Sequence, residues 1–186
     1  MSEINKLLDG VSSTDIKVKY KSLKSLKIIS EKSSQKLYSE IDFFIKLLKH
    51  KNNIFKWSAM DIISNLASVD SKNKISKIFK EFYGFLDSGN LVTAAHVVDN
   101  SWKLCNAKPK LCSKITNELL NVTKLPLPTK ECRNILIGKA ITSFSKYLDK
   151  VEAKDSKRII DFVKKHKNNS RNATKIKAEK FLNKNL

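Results

Sequence analysis

Apolar residues return at helical spacing over nearly the whole chain. The i, i+3, i+4, i+7 pattern runs through two early segments, Ile16, Tyr20, Leu23, Leu26 and Ile29, and then Ile41, Phe44, Ile45 and Leu48. Sustained apolar and polar alternation, which is typical of strands, is hard to find, and 4 Gly and 3 Pro leave few turn residues for a many-stranded fold. The pattern predicts an all-α protein.

Turn-forming residues divide these helices into a repeat. Segments that begin near Thr14, Ile54, Leu91 and Glu131 each run helix, turn, helix, and return after about 36 to 42 residues. We therefore expect one domain, 1–186, of four antiparallel helix pairs, at approximately 14–52, 53–89, 90–129 and 130–170. A leading helix over 1–9 and a capping helix over 171–186 are expected to close its ends.

Glycine and proline residues that begin or end helices support these boundaries. A break is expected at Asp9-Gly10, Gly89 suits the end of a helix, and Pro109 suits the first turn of one. The first helices also share an apolar register 36 residues apart, with Phe55, Ala59, Ile62, Leu66 and Val69 over Leu91, Ala95, Val98, Trp102 and Cys105. This register predicts that Trp102 packs in the core, as Leu66 does.

In these units the chain resembles the HEAT-repeat family. The likeness is carried by residues 54–67 and 91–98, with Lys108-Pro109 opening the following helix, and it extends from about residue 14 to residue 170. HEAT units often carry an arginine in the first helix, and here Lys19 or Lys56 stands in that place. The resemblance implies a right-handed α-solenoid whose second helices line a concave surface.

The chain is strongly basic. Lys+Arg number 37 and Asp+Glu 18, a formal net charge of +19, of which +5 belongs to residues 1–100 and +14 to residues 101–186. Such a surface attracts polyanions, including acidic proteins, nucleic acid and anionic membranes. Only Arg133, Arg158 and Arg171 are arginines, which disfavours specific reading of guanine.

The predicted second helices all carry cations outside their apolar stripes. They run approximately over 34–48, 72–86, 109–122 and 155–166, and the candidate binding residues on them are Lys74, Lys77, Lys110, Lys114, Lys157, Arg158, Lys164 and Lys165. Stacked side by side, these residues predict a positive band along the concave face. The alternative is an ordinary solvated surface in which residues such as Asp161 and Lys165 are i,i+4 partners.

The capping helix leaves a similar choice open. Lys175, Lys177 and Lys180 point away from its apolar side, which fits either a solvated end helix or a helix that binds an anionic surface.

Catalytic and metal-binding signals are weak. His50, His96 and His166 lie in separate repeats, and no His or Cys pair has zinc-ligand spacing, so we expect no metal, cofactor or catalytic residue. Trp57 with Asp61, and Asp99 with Trp102, each share a helix face. Such pairs resemble those of DNA glycosylases built on HEAT-like repeats, but they lie on first helices.

The cysteines predict the compartment. Cys105, Cys112 and Cys132 are odd in number and lack CxxC spacing, so we expect free thiols in a reducing cytoplasm, with Cys105 and Cys112 filling the seam between two helices of one repeat. No apolar run resembles a signal peptide or a membrane span.

The sequence thus predicts a non-enzymatic helical-repeat scaffold that binds an acidic protein partner through its concave second-helix surface. Two alternatives remain open. One is sequence-independent nucleic-acid binding through the same lysine-rich face, and the other, less favoured, is a HEAT-like DNA glycosylase.

Overall fold

The computed structural model describes residues 2–186. These residues form α-helices and short 3-10 turns, with no β-strand among them, which confirms the all-α prediction. None of the described helices is both long enough and apolar enough to cross a membrane. The chain divides into two compact units, the first ending at Lys77 and the second running from Ile78 to Leu186.

The first unit is built around α2. Its helices are α1 (Glu3–Val11), α2 (Ile16–Lys32), α3 (Ser34–Leu37), α4 (Ile41–Leu47), α5 (Asn53–Asn65) and α6 (Lys74–Lys77). α2 packs against α1, α3 and α5, and α4 packs against α5. Leu26, Ile41, Phe44 and Ile62 are fully buried at these contacts.

The second unit is built around α10. Its helices are α7 (Phe79–Gly84), α8 (Leu91–Ala107), α9 (Cys112–Leu120), α10 (Lys130–Phe144), α11 (Ala153–Lys165) and α12 (Asn172–Asn185). α10 contacts both α8 and α12, while α9 contacts α8 and α11, and α11 also contacts α12. Val97, Ile115, Leu136 and Phe144 are fully buried in this unit.

Side-chain caps start the long helices close to the predicted points. Asn52 Oδ1 accepts a hydrogen bond from the Ile54 amide at 2.9 Å, and Asn90 Oδ1 accepts one from the Thr93 amide at 3.0 Å. The two capping asparagines stand 38 residues apart. The offset of 36 residues by which the sequence aligned these two helices is therefore two residues too short.

The second helices are shorter than the sequence predicts. Residues 34–48 divide into α3, a 3-10 turn at Tyr38–Glu40 and α4, and residues 72–86 contain the separate short helices α6 and α7. Pro109 does occupy a first turn, but the turn is 3-10 and precedes α9. The apolar stripe is buried all the same, since the pattern fixes which side faces inward and not which hydrogen-bond spacing the backbone adopts.

Gly10 does not end the leading helix. The predicted helix starts at residue 1, which lies outside the described residues, and α1 continues through Gly10 to Val11. A Cβ at position 10 would lie 2.2 Å from Oγ of Ser22, so glycine lets α1 approach α2 closely. Gly89 does end a helical segment as predicted, with φ at +70°.

A buried asparagine on α10 fixes the start of α12. Asn134 Nδ2 donates to Ser170 Oγ at 3.0 Å, and Asn169 Nδ2 donates to Asn134 Oδ1 at 3.1 Å. Thr174 Oγ1 donates to the Asn134 carbonyl at 2.8 Å. Asn134 and Thr174 are buried, and these bonds hold the segment before α12 against α10.

The cysteines differ from expectation. Cys105 and Cys112 are buried, as predicted, but their sulfurs form a disulfide that joins the last turn of α8 to the first residue of α9. The prediction of free thiols was wrong for this pair, because the turn at Pro109 brings the two Cα atoms to 4.8 Å. Cys132 is the free cysteine of the described residues, and the cysteines no longer indicate a reducing compartment.

Candidate functional site

The eight predicted binding cations fall in both units. Lys74 and Lys77 lie on α6 in the first unit, and the other six lie in the second unit. Lys74 is half-buried and its Nζ lies 2.5 Å from Oδ2 of Asp42, whereas Lys77 is exposed. The charge of Lys74 is therefore already balanced within its unit.

In the second unit, two contacting helices, α9 and α11, each expose lysines. α11 buries Ile159, Phe162 and Val163 on one face, as its helical pattern predicts, and it packs against α9. The outer faces of these helices and the turn before α9 expose five of the predicted cations. We call these five the second-helix lysines: Lys110, Lys114, Lys157, Lys164 and Lys165.

Two acidic residues on the same helices, Asp155 and Glu118, lie in surroundings that differ from open solvent. Asp155 is buried, and its Oδ1 accepts a hydrogen bond from Nη1 of Arg158 at 2.8 Å, so Arg158 is engaged within its own helix. Burial, and then the negative charge of Asp87, raise the pKa of the Glu118 carboxyl. The surroundings of Glu118 therefore disfavour its charged form.

Asp161 is the third acidic residue on these helices. It is exposed, and within the described part of the chain it forms no ion pair with Lys165, the i,i+4 partner that the sequence suggests. The second unit as a whole holds 22 Lys and Arg residues against 10 Asp and Glu. Most of the positive excess therefore belongs to the unit that carries the second-helix lysines.

The two aspartates considered for catalysis are both ion-paired. Nζ of Lys27 on α2 lies 2.6 Å from Oδ2 of Asp61 on α5, and Nζ of Lys139 on α10 lies 2.5 Å from Oδ2 of Asp99 on α8. Each aspartate follows its capping asparagine by nine residues. The first pair thus joins α2 to α5, and the second joins α8 to α10.

Trp102 lies partly at the surface. It is half-buried, and Nζ of Lys146 lies 4.3 Å from its ring centroid, in the range of a cation–π contact. Leu104 is buried instead, at 2% exposure. The predicted core position of Trp102 was wrong, because the cap at Asn90 shifts the helix phase by two residues from the assumed register.

Two tyrosines of the second unit, Tyr83 and Tyr147, are buried. Tyr83 Oη donates to Ser101 Oγ at 3.0 Å, and Tyr147 Oη lies 3.3 Å from Thr116 Oγ1. Burial is the main cause that raises the pKa of both phenols. Neither ring is available to a nucleic-acid base.

Among residues 2–186, no three His, Cys, Asp or Glu side chains lie close enough together to hold a metal ion.

His166 follows the last residue of α11, and the centroid of its ring lies 4.7 Å from that of Phe162. Burial, and then the charge of Lys165, lower the pKa of His166, so the imidazole adds little to the positive surface at neutral pH.

A second basic feature lies between α10 and α12, and sequence reasoning found it only in part. A groove of about 260 Å³ is lined on one side by Lys177, Lys180 and Lys184 of α12. The outward direction of Lys177 and Lys180 was predicted, but the groove was not. The i, i+3, i+7 spacing of the three lysines is the signal that sequence reasoning left unused.

Comparison of the chain with known protein families and with curated protein sequences finds no match.

Proposed function

We propose that this chain is a non-enzymatic helical-repeat scaffold of the HEAT-like α-solenoid kind, and that it binds an acidic segment of a partner protein through the second-helix lysines. One observation carries the proposal. The contacting helices α9 and α11, together with the turn before α9, expose five lysines, while Asp155 of α11 is buried and paired with Arg158. In a HEAT-like solenoid the second helices line the concave face, where a partner would lie.

An acidic protein suits this surface better than nucleic acid does. Lysine ammoniums are flexible point charges, which accept carboxylates in many geometries, whereas arginine favours planar, bidentate contacts. Arg158, the arginine on α11, is held by Asp155 within that helix, and Tyr83 and Tyr147 are buried. Stacking, which supplies much of the affinity for single strands, is therefore not provided by these rings.

The absence of catalysis is part of the same proposal. Asp61 and Asp99 are engaged by Lys27 and Lys139 in contacts between helices. A general base needs a carboxylate within reach of substrate. Both carboxylates instead accept a bond from a neighbouring helix.

Fluorescence anisotropy with a labelled peptide of alternating Asp and Glu tests the proposal at about 0.15 M salt, where surface charges are screened over about 8 Å. The intact chain should bind this peptide more tightly than random duplex or single-stranded DNA of equal charge. Changing all five second-helix lysines to glutamine should weaken peptide binding about tenfold or more.

The matched control removes the same charge from the first unit. It replaces five exposed lysines there with glutamine, namely Lys17, Lys21, Lys24, Lys46 and Lys51. This variant should bind the peptide within about twofold of the native chain, because long-range attraction is largely screened at this salt concentration. Equal weakening in both variants would refute the second-helix site, and tighter binding of DNA than of peptide would refute the acidic-protein partner.

A further inference from the structure

Two isoleucines are exposed at one end of the first unit. Ile16 is 66% exposed in the first turn of α2, and Ile54 is 44% exposed in the first turn of α5. Both belong to the unit that ends at Lys77, so they are separate from the second-helix lysines. Single exposed aliphatic side chains are ordinary, whereas exposed apolar groups that lie together mark a contact surface.

The two helices that carry these residues run parallel. The ring of Tyr20 on α2 lies 5.9 Å from that of Phe55 on α5, and further along both helices Nζ of Lys27 lies 2.6 Å from Oδ2 of Asp61. The contacts therefore progress in the same direction along α2 and α5. Their first turns meet at the same end of the unit.

The two isoleucines project toward the seam between these helices. Ile16 stands eleven residues before Lys27, and Ile54 stands seven residues before Asp61. Positions seven or eleven apart share one face of a helix, because they are separated by two or three full turns. Since Lys27 and Asp61 contact each other across the seam, Ile16 and Ile54 lie on the facing flanks of α2 and α5, at the open end of that seam.

Local contacts hold this end in place. Asn52 Nδ2 donates to Tyr20 Oη at 3.1 Å, and Asn52 Oδ1 accepts a hydrogen bond from the Ile54 amide at 2.9 Å. The ring of His50 stacks on that of Phe55, with 4.4 Å between their centroids. The turn before α5 is thereby attached to α2, and the unit presents the exposed isoleucines at a defined position.

Lysines surround the isoleucines. The first two turns of α2 and the turn before α5 hold five of them, which we call the end lysines: Lys17, Lys19, Lys21, Lys49 and Lys51. Lys17, Lys21 and Lys51 are exposed, and none of these three forms an ion pair with another described residue. Nζ of Lys19 lies 5.9 Å from the Phe55 ring.

Two carboxylates lie at the same end and offset part of this charge. Asp15 caps α2, where its Oδ1 accepts hydrogen bonds from the amides of Lys17 and Val18 at 2.7 and 3.2 Å. Asp9 is exposed in the last turns of α1, which leads into α2. Five end lysines against two carboxylates leave the end positive, so charge complementarity favours an anionic partner.

The aliphatic side chains indicate which anionic partner fits. Isoleucine has no ring on which a nucleic-acid base stacks. A stable protein interface buries about 800 Å² on each partner, and two isoleucines at the end of a unit supply only a small part of that area. A lipid surface needs no matching shape, because aliphatic side chains enter between the headgroups while ammonium groups remain with the anionic headgroups.

We propose that this end of the first unit binds an anionic lipid surface, with Ile16 and Ile54 inserted among the headgroups and the end lysines paired with the headgroup anions. The proposal does not rest on the proposed function. It assigns the chain a second binding surface, in the other unit and for a partner of different chemistry.

Flotation of the intact chain with lipid vesicles tests the proposal. One set of vesicles contains phosphatidylserine in phosphatidylcholine, and the other contains phosphatidylcholine alone. At about 0.15 M salt, where charges are screened over about 8 Å, the chain should float with the anionic vesicles and not with the neutral ones. Replacing Lys17, Lys21 and Lys51 with Gln should weaken anionic-vesicle binding about tenfold to a hundredfold, since each cation near the surface contributes about fivefold.

A variant that conserves charge isolates the apolar contact. Ile16→Ser combined with Ile54→Ser keeps the net charge at +19, and it should weaken binding to anionic vesicles about tenfold, as partial transfer of two isoleucines out of water predicts. The matched control is Val92→Ser combined with Ile176→Ser, at positions 45% and 40% exposed in the second unit. It should bind within about twofold of the native chain, as surface substitutions away from a contact do.

A gain of binding separates the proposal from damage to the fold. Tryptophan favours the membrane interface, so Ile16→Trp should bind anionic vesicles about twofold or more tightly than the native chain does. The serine variant should also bind the acidic peptide as the native chain does. Failure of vesicle binding would therefore leave the proposed function in place, and failure of peptide binding would leave the lipid surface in place.

Three outcomes would overturn the lipid proposal. The first is a native chain that does not bind anionic vesicles, or that binds neutral vesicles equally well. The second is vesicle binding that survives the loss of Ile16 and Ile54, or that falls as much in the Val92 and Ile176 control. The third is binding of random duplex DNA or of the acidic peptide that depends on Ile16 and Ile54 to the same degree, which would identify a nucleic-acid or protein site at this end instead.

Discussion

At the scale of single residues, Gly138 shows how closely α10 and α12 approach. A Cβ at this position would lie 2.7 Å from Thr174 Oγ1, the atom that donates to the Asn134 carbonyl. Gly138→Ala therefore has to displace that hydroxyl. Overpacking and a lost hydrogen bond together exceed the gain of about 1 kcal/mol in helix propensity, so we expect a net loss of about 1 to 2 kcal/mol in the free energy of unfolding by urea.

Gly84 provides the control for this substitution. It is exposed on α7 with helical backbone angles, and no atom lies within 4 Å of a Cβ built there. Gly84→Ala should be neutral or stabilise by up to about 1 kcal/mol. Thr174→Ala should also offset part of the Gly138→Ala loss, and full additivity of the two changes would contradict the contact.

Buried apolar residues were the most predictable feature at this scale. Ile62, Val98 and Phe144 are buried as the helical pattern predicts, since a stripe along a helix reports its inward face. Trp102 was not predictable in the same way. Which face of α8 carries Trp102 depends on where the helix begins, and the cap at Asn90 sets that point twelve residues earlier. Because the cap lies two residues later than the assumed register requires, Leu104 takes the buried position instead of Trp102.

At the scale of elements, the ion pair between α2 and α5 and the ion pair between α8 and α10 differ in exposure. The Asp61 side chain is 10% exposed, whereas that of Asp99 is 47% exposed. Exposed pairs are screened and contribute about 0 to 1 kcal/mol, but removing a buried, charged hydrogen-bond partner costs about 1.5 to 3 kcal/mol. Asp61→Ala should therefore lower the urea midpoint clearly, and Asp99→Ala only slightly. Equal losses would show that burial does not distinguish the two pairs.

The link between α8 and α9 makes a prediction about thiols. Titration of the denatured chain without reductant should find one thiol, Cys132, and three after reduction. Cys132→Ser should leave none before reduction. Because the disulfide closes a loop of eight residues, reducing it should lower the free energy of unfolding by about 2 to 3 kcal/mol. Three thiols without reductant would contradict the bond.

The sequence predicts some elements better than others for a physical reason. The caps at Asn52, Asn90 and Thr129 are local, and they start helices within a residue or two of the predicted places. The 3-10 turn at Tyr38–Glu40 depends on packing with other elements, so periodicity alone does not predict it. The groove escapes prediction as well, because Ser145 and Lys184 lie far apart in sequence and meet only in the fold.

At the scale of the whole molecule, positive charge is in excess in both units. The first unit holds 15 lysines against 8 acidic residues, and the second holds 22 Lys and Arg against 10. Ion pairs engage some of these cations, among them Lys27, Lys74 and Lys139. The excess of positive charge repels itself, and this repulsion destabilises the compact state at low ionic strength.

Thermal stability should therefore rise with salt. The Debye length falls from about 30 Å at 0.01 M to about 8 Å at 0.15 M salt, so repulsion across each unit is largely removed over this range. We expect the melting temperature to rise by about 3 °C or more, equivalent to about 1 kcal/mol for a chain of this size. The measurement is circular dichroism at 222 nm in sodium chloride, with the buffer concentration held fixed.

The two five-lysine variants show whether this effect reflects total charge or a single site. Each lowers the net charge from +19 to about +14, one in the second unit and one in the first. Both should melt at a higher temperature than the native chain in low salt and show a flatter rise with salt, because repulsion within a unit depends on its summed charge. Peptide binding, in contrast, should fall only when the second-helix lysines are removed. If the melting temperature of the native chain stays constant or falls with salt, the excess charge does not limit stability. If only one variant shows a weaker dependence of melting temperature on salt, the repulsion lies in that unit alone.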